Sequence, residues 1–158
     1  MAKIKTNAMR ILDRAKIAYQ VSSYEATDGK IDGVSVAEKI GQSPKSVYKT
    51  LIAQGANHQL YVFVIPVAAE LDLKKAASAA KEKKIEMLPV KDMTKYTGYV
   101  RGGCSPIGMK KHYPTFIDHH VNDLETIYVS AGKIGVQVAL APADLITAAS
   151  AVLADLTK

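Results

Sequence analysis

The segment at residues 99–109 has a composition that lets main-chain groups approach a ligand. It reads Tyr-Val-Arg-Gly-Gly-Cys-Ser-Pro-Ile-Gly-Met, and its three glycines and one proline exclude regular secondary structure. The pair Gly102 and Gly103 leaves backbone N–H groups uncovered and permits positive φ, while Pro106 stiffens the exit. A tight connection between two elements has the same composition, so the loop alone leaves both interpretations open.

Other residue types that catalyse reactions lack the spacing that their chemistry needs. No sequence signature pairs Cys104 with a histidine, so we expect a structural or ligand-facing thiol rather than a nucleophile. The adjacent His119 and His120 would point to opposite faces if that segment were extended, and no carboxylate-histidine pattern accompanies them. The glycines precede no Gly-Lys-Ser/Thr ending, which excludes a P-loop. We therefore expect neither a metal nor a cofactor.

The charge balance favours a polyanionic partner. The chain of 158 residues has 21 Lys and Arg against 15 Asp and Glu, a net charge of +6, which suits nucleic acid or another phosphate-rich ligand. The single cysteine rules out an intramolecular disulfide, and no signal segment or long apolar run is present. We expect a cytosolic protein that forms a single domain over residues 1–158.

Residues 33–51 offer a rival to any enzymatic function, because they resemble a helix-turn-helix. Ser35 can cap a first helix, Gly41 can end it, and Ser43-Pro44 can begin a second helix. On that interpretation the second helix would enter a DNA groove. A strand that began near Val47 would truncate this recognition helix.

The elements that must position these residues alternate between helices and strands. Periodicity predicts a first helix over residues 6–18, capped by Thr6 or Asn7, and a helix over residues 74–84, capped by Asp72. We expect further helical structure at residues 92–97 and a last helix from residue 142 to 153. Strands are predicted at residues 19–24, 47–54, 60–67, 85–90, 115–118, 126–130 and 134–140. Residues 47–54 and 60–67 form one hairpin, and residues 126–130 and 134–140 form another across residues 131–133. The result is a mixed sheet with helices around it.

Several separate motifs, in order along nearly the whole chain, resemble the YbaK/EbsC family of free-standing relatives of the prolyl-tRNA synthetase editing domain. They are Val-Tyr-Lys-Thr-Leu at residues 47–51, Ile-Pro-Val at 65–67, Leu-Asp-Leu-Lys-Lys at 71–75, Thr-Gly-Tyr at 97–99, Gly-Gly-Cys-Ser-Pro-Ile-Gly at 102–108, Pro-Thr at 114–115 and Ile-Tyr-Val-Ser-Ala-Gly-Lys at 127–133. The resemblance implies a mixed α/β fold with a central, partly barrel-like sheet. It also implies an enzyme that deacylates mischarged aminoacyl-tRNA, most often Cys-tRNA(Pro) or Cys-tRNA(Cys).

The resemblance assigns roles to individual residues. Lys49, next to Thr50, matches the lysine placed to bind the terminal adenosine of tRNA and its phosphates, as a compact ammonium can. Tyr24 matches a tyrosine that lines the adenosine or acyl site. The Gly-x-x-x-Pro loop would embrace the acyl carbonyl with the backbone N–H groups of Gly102 and Gly103. The remaining members of the expected site are Cys104, Ser105, Pro106 and Ser130.

The implied mechanism relies on positioning, because no Ser-His-Asp or Cys-His set is recognisable in the sequence. The family precedent is that the thiol of a cysteinyl substrate attacks its own ester carbonyl. Cys104 stands where relatives more often have an aliphatic residue, and Gln137 where some have Asp. Relatives that remove Ala or Ser leave the amino acid open, and a binding module for an adenine nucleotide is a further alternative. Prolyl-tRNA synthetase is an expected partner that would supply tRNA identity.

Overall fold

A computed structural model describes residues 5–158 as a mixed α/β fold with five α-helices and two β-sheets. The helices are α1 (Asn7–Arg14), α2 (Gly33–Lys39), α3 (Leu73–Ala80), α4 (Val90–Thr97) and α5 (Pro142–Ala149). The strands are β1 (Gln20–Ser23), β2 (Tyr48–Gln54), β3 (Leu60–Pro66), β4 (Glu86–Met87), β5 (Thr115–Asp118), β6 (Ile127–Lys133), β7 (Val136–Leu140) and β8 (Ala151–Ala154). Short 3₁₀ helices lie at Ala56–His58 and His119–Asp123. The expected fold class is confirmed.

The strands form two sheets rather than the one central sheet that we expected. The order is β1-β7-β6 in the smaller, antiparallel sheet and β4-β2-β3-β5-β8 in the larger one. In the larger sheet β2 is antiparallel to both neighbours, while β3, β5 and β8 are parallel. A bridge between Val47 and Tyr128 links the sheets, and the Tyr128 N–H donates to the Ser46 carbonyl at 3.0 Å. The start of β2 therefore lies beside β6.

The hairpin of β2 and β3 is buried on both faces, as the continuous apolar run of β3 predicts. Alternate residues such as Val62 and Val64 join a core that also contains Val129 and Val138 of the smaller sheet. Residues between them, such as Phe63, belong to a second core beneath α3. One face of β2 and β3 therefore points at the other sheet, and the opposite face points at a helix.

Two helix caps confirm the sequence prediction. Thr6 accepts a hydrogen bond from the Met9 N–H, and Asp72 accepts from the N–H groups of Lys74 and Lys75. Both helices are shorter than expected, since α1 ends at Arg14 and α3 at Ala80. The residue after Ala80, Lys81, has a left-handed φ of 58°, which ends the helix. Within residues 5–158 no helix is long and apolar enough to cross a membrane.

The helix-turn-helix interpretation of residues 33–51 is wrong. The first helix, α2, is capped by Asp32 instead of Ser35, whose N–H and hydroxyl both donate to the Asp32 carboxylate. Gly41 follows this helix with φ of 71°. Residues 44–46 form only a turn, and the strand β2 begins at Tyr48. A recognition helix is therefore absent from this segment.

Three other predicted elements differ from the structure. Strand β6 continues to Lys133 with a bulge after Ser130, so the β6–β7 turn lies at residues 134–135, where Gly135 has φ of 94°. The predicted strand at residues 85–90 is reduced to two residues, and α4 begins at Val90. The last helix stops at Ala149 because Ser150 is left-handed, and residues 151–154 form β8.

Candidate active site

A cavity of about 700 Å³ lies between β2, the glycine loop and the β6–β7 hairpin. Its volume suits a small organic ligand. Five of the nine residues predicted for the site line this cavity: Lys49, Thr50, Gly102, Cys104 and Ser130. The structure thus brings together residues that are far apart in sequence and come from three different elements.

Lys49 supplies a partly buried cation to the cavity. It is the second residue of β2 and lies opposite Ile65 in the ladder. Burial lowers the pKa of its ammonium group, and the Glu70 carboxylate opposes that shift in part. Lys49 makes no salt bridge among residues 5–158, and the exposed Arg101 adds a second positive charge to the lining. A phosphate or another anion fits this environment.

Three polar side chains that line the cavity have buried atoms without a hydrogen-bond partner among residues 5–158. They are the hydroxyls of Tyr48 and Thr50 and the amide oxygen of Gln137. Thr50 is 8% exposed and Gln137 5% exposed. Burial raises the pKa of the Tyr48 phenol, and the charges of Asp118 and Asp123 raise it further. Because buried polar groups are normally hydrogen-bonded, this lining suits a polar ligand.

The two adjacent loop glycines have different structural roles. Gly102 lines the cavity with φ of 84°, and a Cβ there would lie 2.8 Å from the Cδ1 of Ile31. Gly103 packs against the β6–β7 turn, where a Cβ would lie 3.0 Å from the backbone nitrogen of Ile134. The Gly103 N–H donates to the Val100 carbonyl at 3.0 Å. That amide is therefore already used within the loop, and the expected role of Gly103 as a donor to the substrate carbonyl is not supported.

The remaining loop residues stabilise the loop from outside the cavity. Ser105 is completely buried, and its hydroxyl accepts a hydrogen bond from the Ile107 N–H at 3.2 Å. Pro106 lines a separate, smaller cavity of about 170 Å³. The structure therefore places neither residue against a ligand in the large cavity.

Tyr24 likewise lies outside the lining of the large cavity. Its N–H donates to the Gly135 carbonyl at 2.9 Å, and the Lys39 ammonium lies 5.8 Å from the centroid of its ring. Its hydroxyl is shielded from solvent and has no partner among the described residues. Tyr24 thus joins the end of β1 to the β6–β7 turn rather than bordering the predicted acyl site.

Cys104 faces the cavity as an unreactive thiol. The residue is buried, and burial raises the pKa of its thiol to about 12. A nucleophilic cysteine needs a lowered pKa, because the thiolate is the reactive form. Cys104 therefore lines the cavity as a buried thiol, and burial disfavours its ionised, reactive form.

The two adjacent histidines do not point to opposite faces. They lie in a 3₁₀ helix, where the ring centroids of His119 and His120 are 4.4 Å apart. Atoms of Asp118, His119 and His120 that could ligate a metal lie within 4.8 Å of one another. The buried Asp118 carboxylate already accepts hydrogen bonds from the Leu156 N–H and from the N–H and ring of His120. This carboxylate therefore serves to connect β5 with the segment after β8.

Sequence reasoning left Arg101, Tyr48 and Gln137 out of the predicted site. Gln137 was noted only as a departure from relatives, yet it lies directly opposite Ser130 in the β6–β7 ladder. Residues opposite one another share a face of the sheet. The two-residue period of a strand was the available signal for two of these residues. It places Gln137 opposite Ser130 and Tyr48 on the same face as Thr50.

The fold and the cavity define an aminoacyl-tRNA editing domain, since the model of the family "Aminoacyl-tRNA editing domain" matches residues 32–148. The chain belongs to this family. Its resemblance to YbaK/EbsC proteins is confirmed, because it is 42% identical over 153 residues to EbsC of Enterococcus faecalis, a proposed Cys-tRNA(Pro)/Cys-tRNA(Cys) deacylase. That match covers 97% of this chain and 93% of EbsC.

More distant proteins are similar over most of the chain. YwhH of Bacillus subtilis is 25% identical over 125 residues, which cover 79% of this chain and 78% of YwhH. A crystal structure of a proposed trans-editing enzyme for prolyl-tRNA synthetase superposes with a TM-score of 0.83 at 19% identity. It covers 98% of this chain and 99% of that chain. At this identity the superposition supports the fold.

Proposed function

We propose that residues 1–158 act as one trans-editing domain that removes cysteine from mischarged Cys-tRNA(Pro). The observation that carries this proposal is the meeting of Lys49 with the unpartnered polar groups of Thr50 and Gln137 in one cavity. An aminoacylated 3′ terminus offers phosphates for the cation and polar acyl atoms for the neutral groups. Family membership and the similarity to EbsC support the same reaction.

In this proposal Lys49 holds a phosphate near the terminal adenosine. Its side chain is half-buried and keeps no ion pair among residues 5–158, so its charge is available to the substrate. Gly102 lets the main chain approach the acyl group without a side chain in between. Ser130 and Cys104 border the acyl end of the cavity.

The nucleophile in the proposed reaction is the thiol of the substrate. Its sulfur bonds to the ester carbonyl carbon, the bond between that carbon and the ribose oxygen breaks, and the thiol proton passes to the ribose oxygen. The products are a cyclic thiolactone and the free tRNA. The pKa of Cys104, raised to about 12 by burial, supports this assignment, because the protein's cavity-facing thiol is a poor nucleophile.

A synthetase partner would complete the selectivity. The cavity has room for the aminoacylated end of tRNA, while recognition of the rest of the tRNA needs a larger surface. We propose that prolyl-tRNA synthetase supplies tRNA identity, and the similarity of fold to the proposed trans-editing enzyme for that synthetase is the support.

The experiment is deacylation of Cys-tRNA(Pro), Ala-tRNA(Pro), Ser-tRNA(Pro) and Pro-tRNA(Pro) by the wild type, K49A and the control K83A. Lys83 is exposed and lies outside the cavity lining, so its loss tests the removal of one positive charge alone. We expect rapid loss of the cysteinyl ester, a thiolactone among the products, and a fall in rate of at least about 100-fold in K49A. Wild-type rates in K49A would refute the role of Lys49, and preference for Ala or Ser would identify a different substrate.

A further inference from the structure

The strand β2 has an unpaired stretch of edge that faces the large cavity. On its outer side β2 pairs with β4 only at Ala53 and Gln54. Two further contacts lie on that side: the Leu88 N–H donates to the Ile52 carbonyl at 3.0 Å, and β6 bridges to Val47 just before β2 begins. All residues of β2 from Tyr48 to Ile52 line the cavity. The backbone near Thr50 is therefore open to a ligand.

The hydrogen bonds at both ends of the hairpin determine which way each β2 backbone group points. The Val67 N–H donates to the Val47 carbonyl, and the Gly55 N–H donates to the Gln59 carbonyl, so both odd-numbered residues bond toward β3. Backbone groups of successive residues alternate between the two edges of a strand. The N–H and C=O of Thr50 thus point outward, on the same edge as the Ile52 carbonyl. Among residues 5–158, no strand pairing involves Thr50 on that edge, since β4 pairs only at Ala53 and Gln54 and the bridge to β6 lies at Val47.

We infer that Thr50 holds the aminoacyl group as if that group were one residue of an added strand. In an antiparallel pair, one residue donates its N–H and accepts at its C=O with the residue directly opposite. An aminoacyl ester has the complementary groups, a carbonyl oxygen that accepts and an α-ammonium that donates. The Thr50 N–H donates to the ester carbonyl, and the Thr50 carbonyl accepts from the α-ammonium.

The charges of the cavity support this orientation. Of the residues that line it, Asp32 is the one carboxylate, and both of its oxygens cap α2. The α-ammonium must therefore be held by neutral oxygens, and the lining supplies unpartnered ones on Thr50 and Gln137. The N–H of Thr50 replaces the amide of Gly103, which is used within the loop, as a donor to the carbonyl oxygen.

The same pairing predicts where the substrate side chain lies. Residues directly opposite one another in a ladder place their side chains on the same face. The face of Thr50 is also that of Tyr48 and Ile52, which pack in one core with Cys104. The acyl side chain therefore points toward Cys104, which makes this residue a determinant of the size and polarity of the amino acid that fits.

Proline at position 50 tests the backbone contact, because it removes the N–H from an outer edge that tolerates proline. We expect T50P to lower kcat/KM for Cys-tRNA(Pro) by at least about 100-fold. T50V keeps the N–H, removes the hydroxyl and lowers kcat/KM by about fivefold. The matched control is V21P. The Tyr24 N–H donates to the Gly135 carbonyl, so the even-numbered residues of β1 bond toward β7 and the N–H of Val21 points outward. Val21 does not line the cavity. A folded T50P with kcat/KM within about threefold of wild type would overturn the inference.

A second measurement on the wild type does not depend on the folding of T50P or on turnover. Hydrogen exchange of the Thr50 amide is followed by NMR with 3′-deoxy-3′-(L-cysteinylamino)adenosine, a stable amide mimic of the substrate, and with AMP. We expect the mimic to slow this exchange at least about tenfold and AMP to leave it unchanged. Equal protection by AMP would show that the edge binds adenine, and no protection by a bound mimic would also refute the inference. The inference rests on the proposed function, but the two can fail separately. If the wild type deacylates no tRNA, the proposed function is refuted, whereas the contact at Thr50 is still tested by the NMR measurement, which requires no turnover.

Discussion

The protonation states of two cavity residues depend on burial rather than on a catalytic partner. Lys49 and Cys104 both lose solvent at the cavity, and loss of solvent disfavours whichever form is charged. The lysine therefore becomes easier to deprotonate, and the cysteine becomes harder to deprotonate. One residue is suited to transient contact with a phosphate, and the other stays a neutral thiol beside the substrate.

The pKa of Lys49 predicts the pH dependence of anion binding. Burial lowers this pKa below its ordinary value of 10.5, so the ammonium is lost at a lower pH than in an exposed lysine. We expect AMP affinity to fall as the pH rises through the lowered pKa, and bound AMP to raise that pKa because an anion favours the charged form. NMR titration of the lysine side chain with and without AMP measures both effects. K49R should keep its affinity to higher pH; an unshifted Lys49 would contradict this account.

The thiol of Cys104 should resist alkylation in the folded protein. With a pKa near 12, its thiolate fraction at pH 8 is on the order of one in ten thousand. We expect iodoacetamide at pH 8 to modify it at least about 100-fold more slowly than free cysteine. The same protein in urea is the control and should react at an ordinary rate. Rapid alkylation of the native chain would show that the thiol is activated.

At the scale of elements, the glycine loop is held against the β6–β7 turn by close backbone packing. Gly103 meets the backbone of residues 133 and 134, and Gly132 lies under the ring of Tyr99. The Tyr99 hydroxyl in turn donates to the Ile107 carbonyl at 2.6 Å. The loop and the hairpin therefore form one unit. Gly103 and Gly132 allow the close contacts that hold it together, and these contacts lie outside the cavity.

Substitution at Gly103 should move this unit and weaken the protein. A Cβ would lie 3.0 Å from the Ile134 nitrogen, and backbone atoms there cannot turn away as a flexible side chain can. We expect G103A to lower the free energy of unfolding by about 1–3 kcal/mol and to reduce deacylation as well. Urea unfolding measures the first effect. G41A is the comparison. A Cβ at Gly41 meets open space, so only the strain of its φ of 71° should lower the stability of that variant. Equal losses of deacylation activity in G103A and G41A would argue against a specific role for the loop.

The sequence was informative where local chemistry determines an element. Thr6 and Asp72 are short polar residues before helical periodicity, and they cap α1 and α3 as predicted. The apolar run at residues 60–67 gave the buried strand β3. The family resemblance also assigned Lys49 and Gly102 to one site, and both residues line the same cavity.

The elements that sequence did not predict are determined by distant contacts. Residues 151–154 read Ala-Val-Leu-Ala, which continues the helical pattern of α5, but the left-handed Ser150 redirects them to the edge of β5. Ser43 and Pro44 resemble a helix start, yet Val47 pairs with Tyr128 and pulls the chain into β2. The orientation of Gly103 likewise depends on the Val100 carbonyl and the β6–β7 turn, which no local pattern reveals.

For the whole molecule, net charge predicts how tRNA binding responds to salt. The chain has a net charge of +6, and Lys49 and Arg101 place positive charge at the cavity. Because phosphate contacts release counterions, we expect affinity for uncharged tRNA(Pro) to fall by about tenfold or more between 50 and 200 mM salt. Fluorescence anisotropy measures this change, and AMP, with one phosphate, should show a smaller one. Affinity for tRNA that is independent of salt would contradict a phosphate-dominated contact.

The parallel pairing of β5 with β8 also has a consequence for the nascent chain. The partner of each β5 residue is synthesised 36 residues later, as the register of Thr115 with Ala151 shows. At about 5–20 residues per second, the second edge of β5 is without its partner for roughly 2–7 s. An uncovered strand edge is a template for pairing with other chains. We therefore expect the second edge of β5 to need protection from neighbouring chains until residues 151–154 are available to cover it.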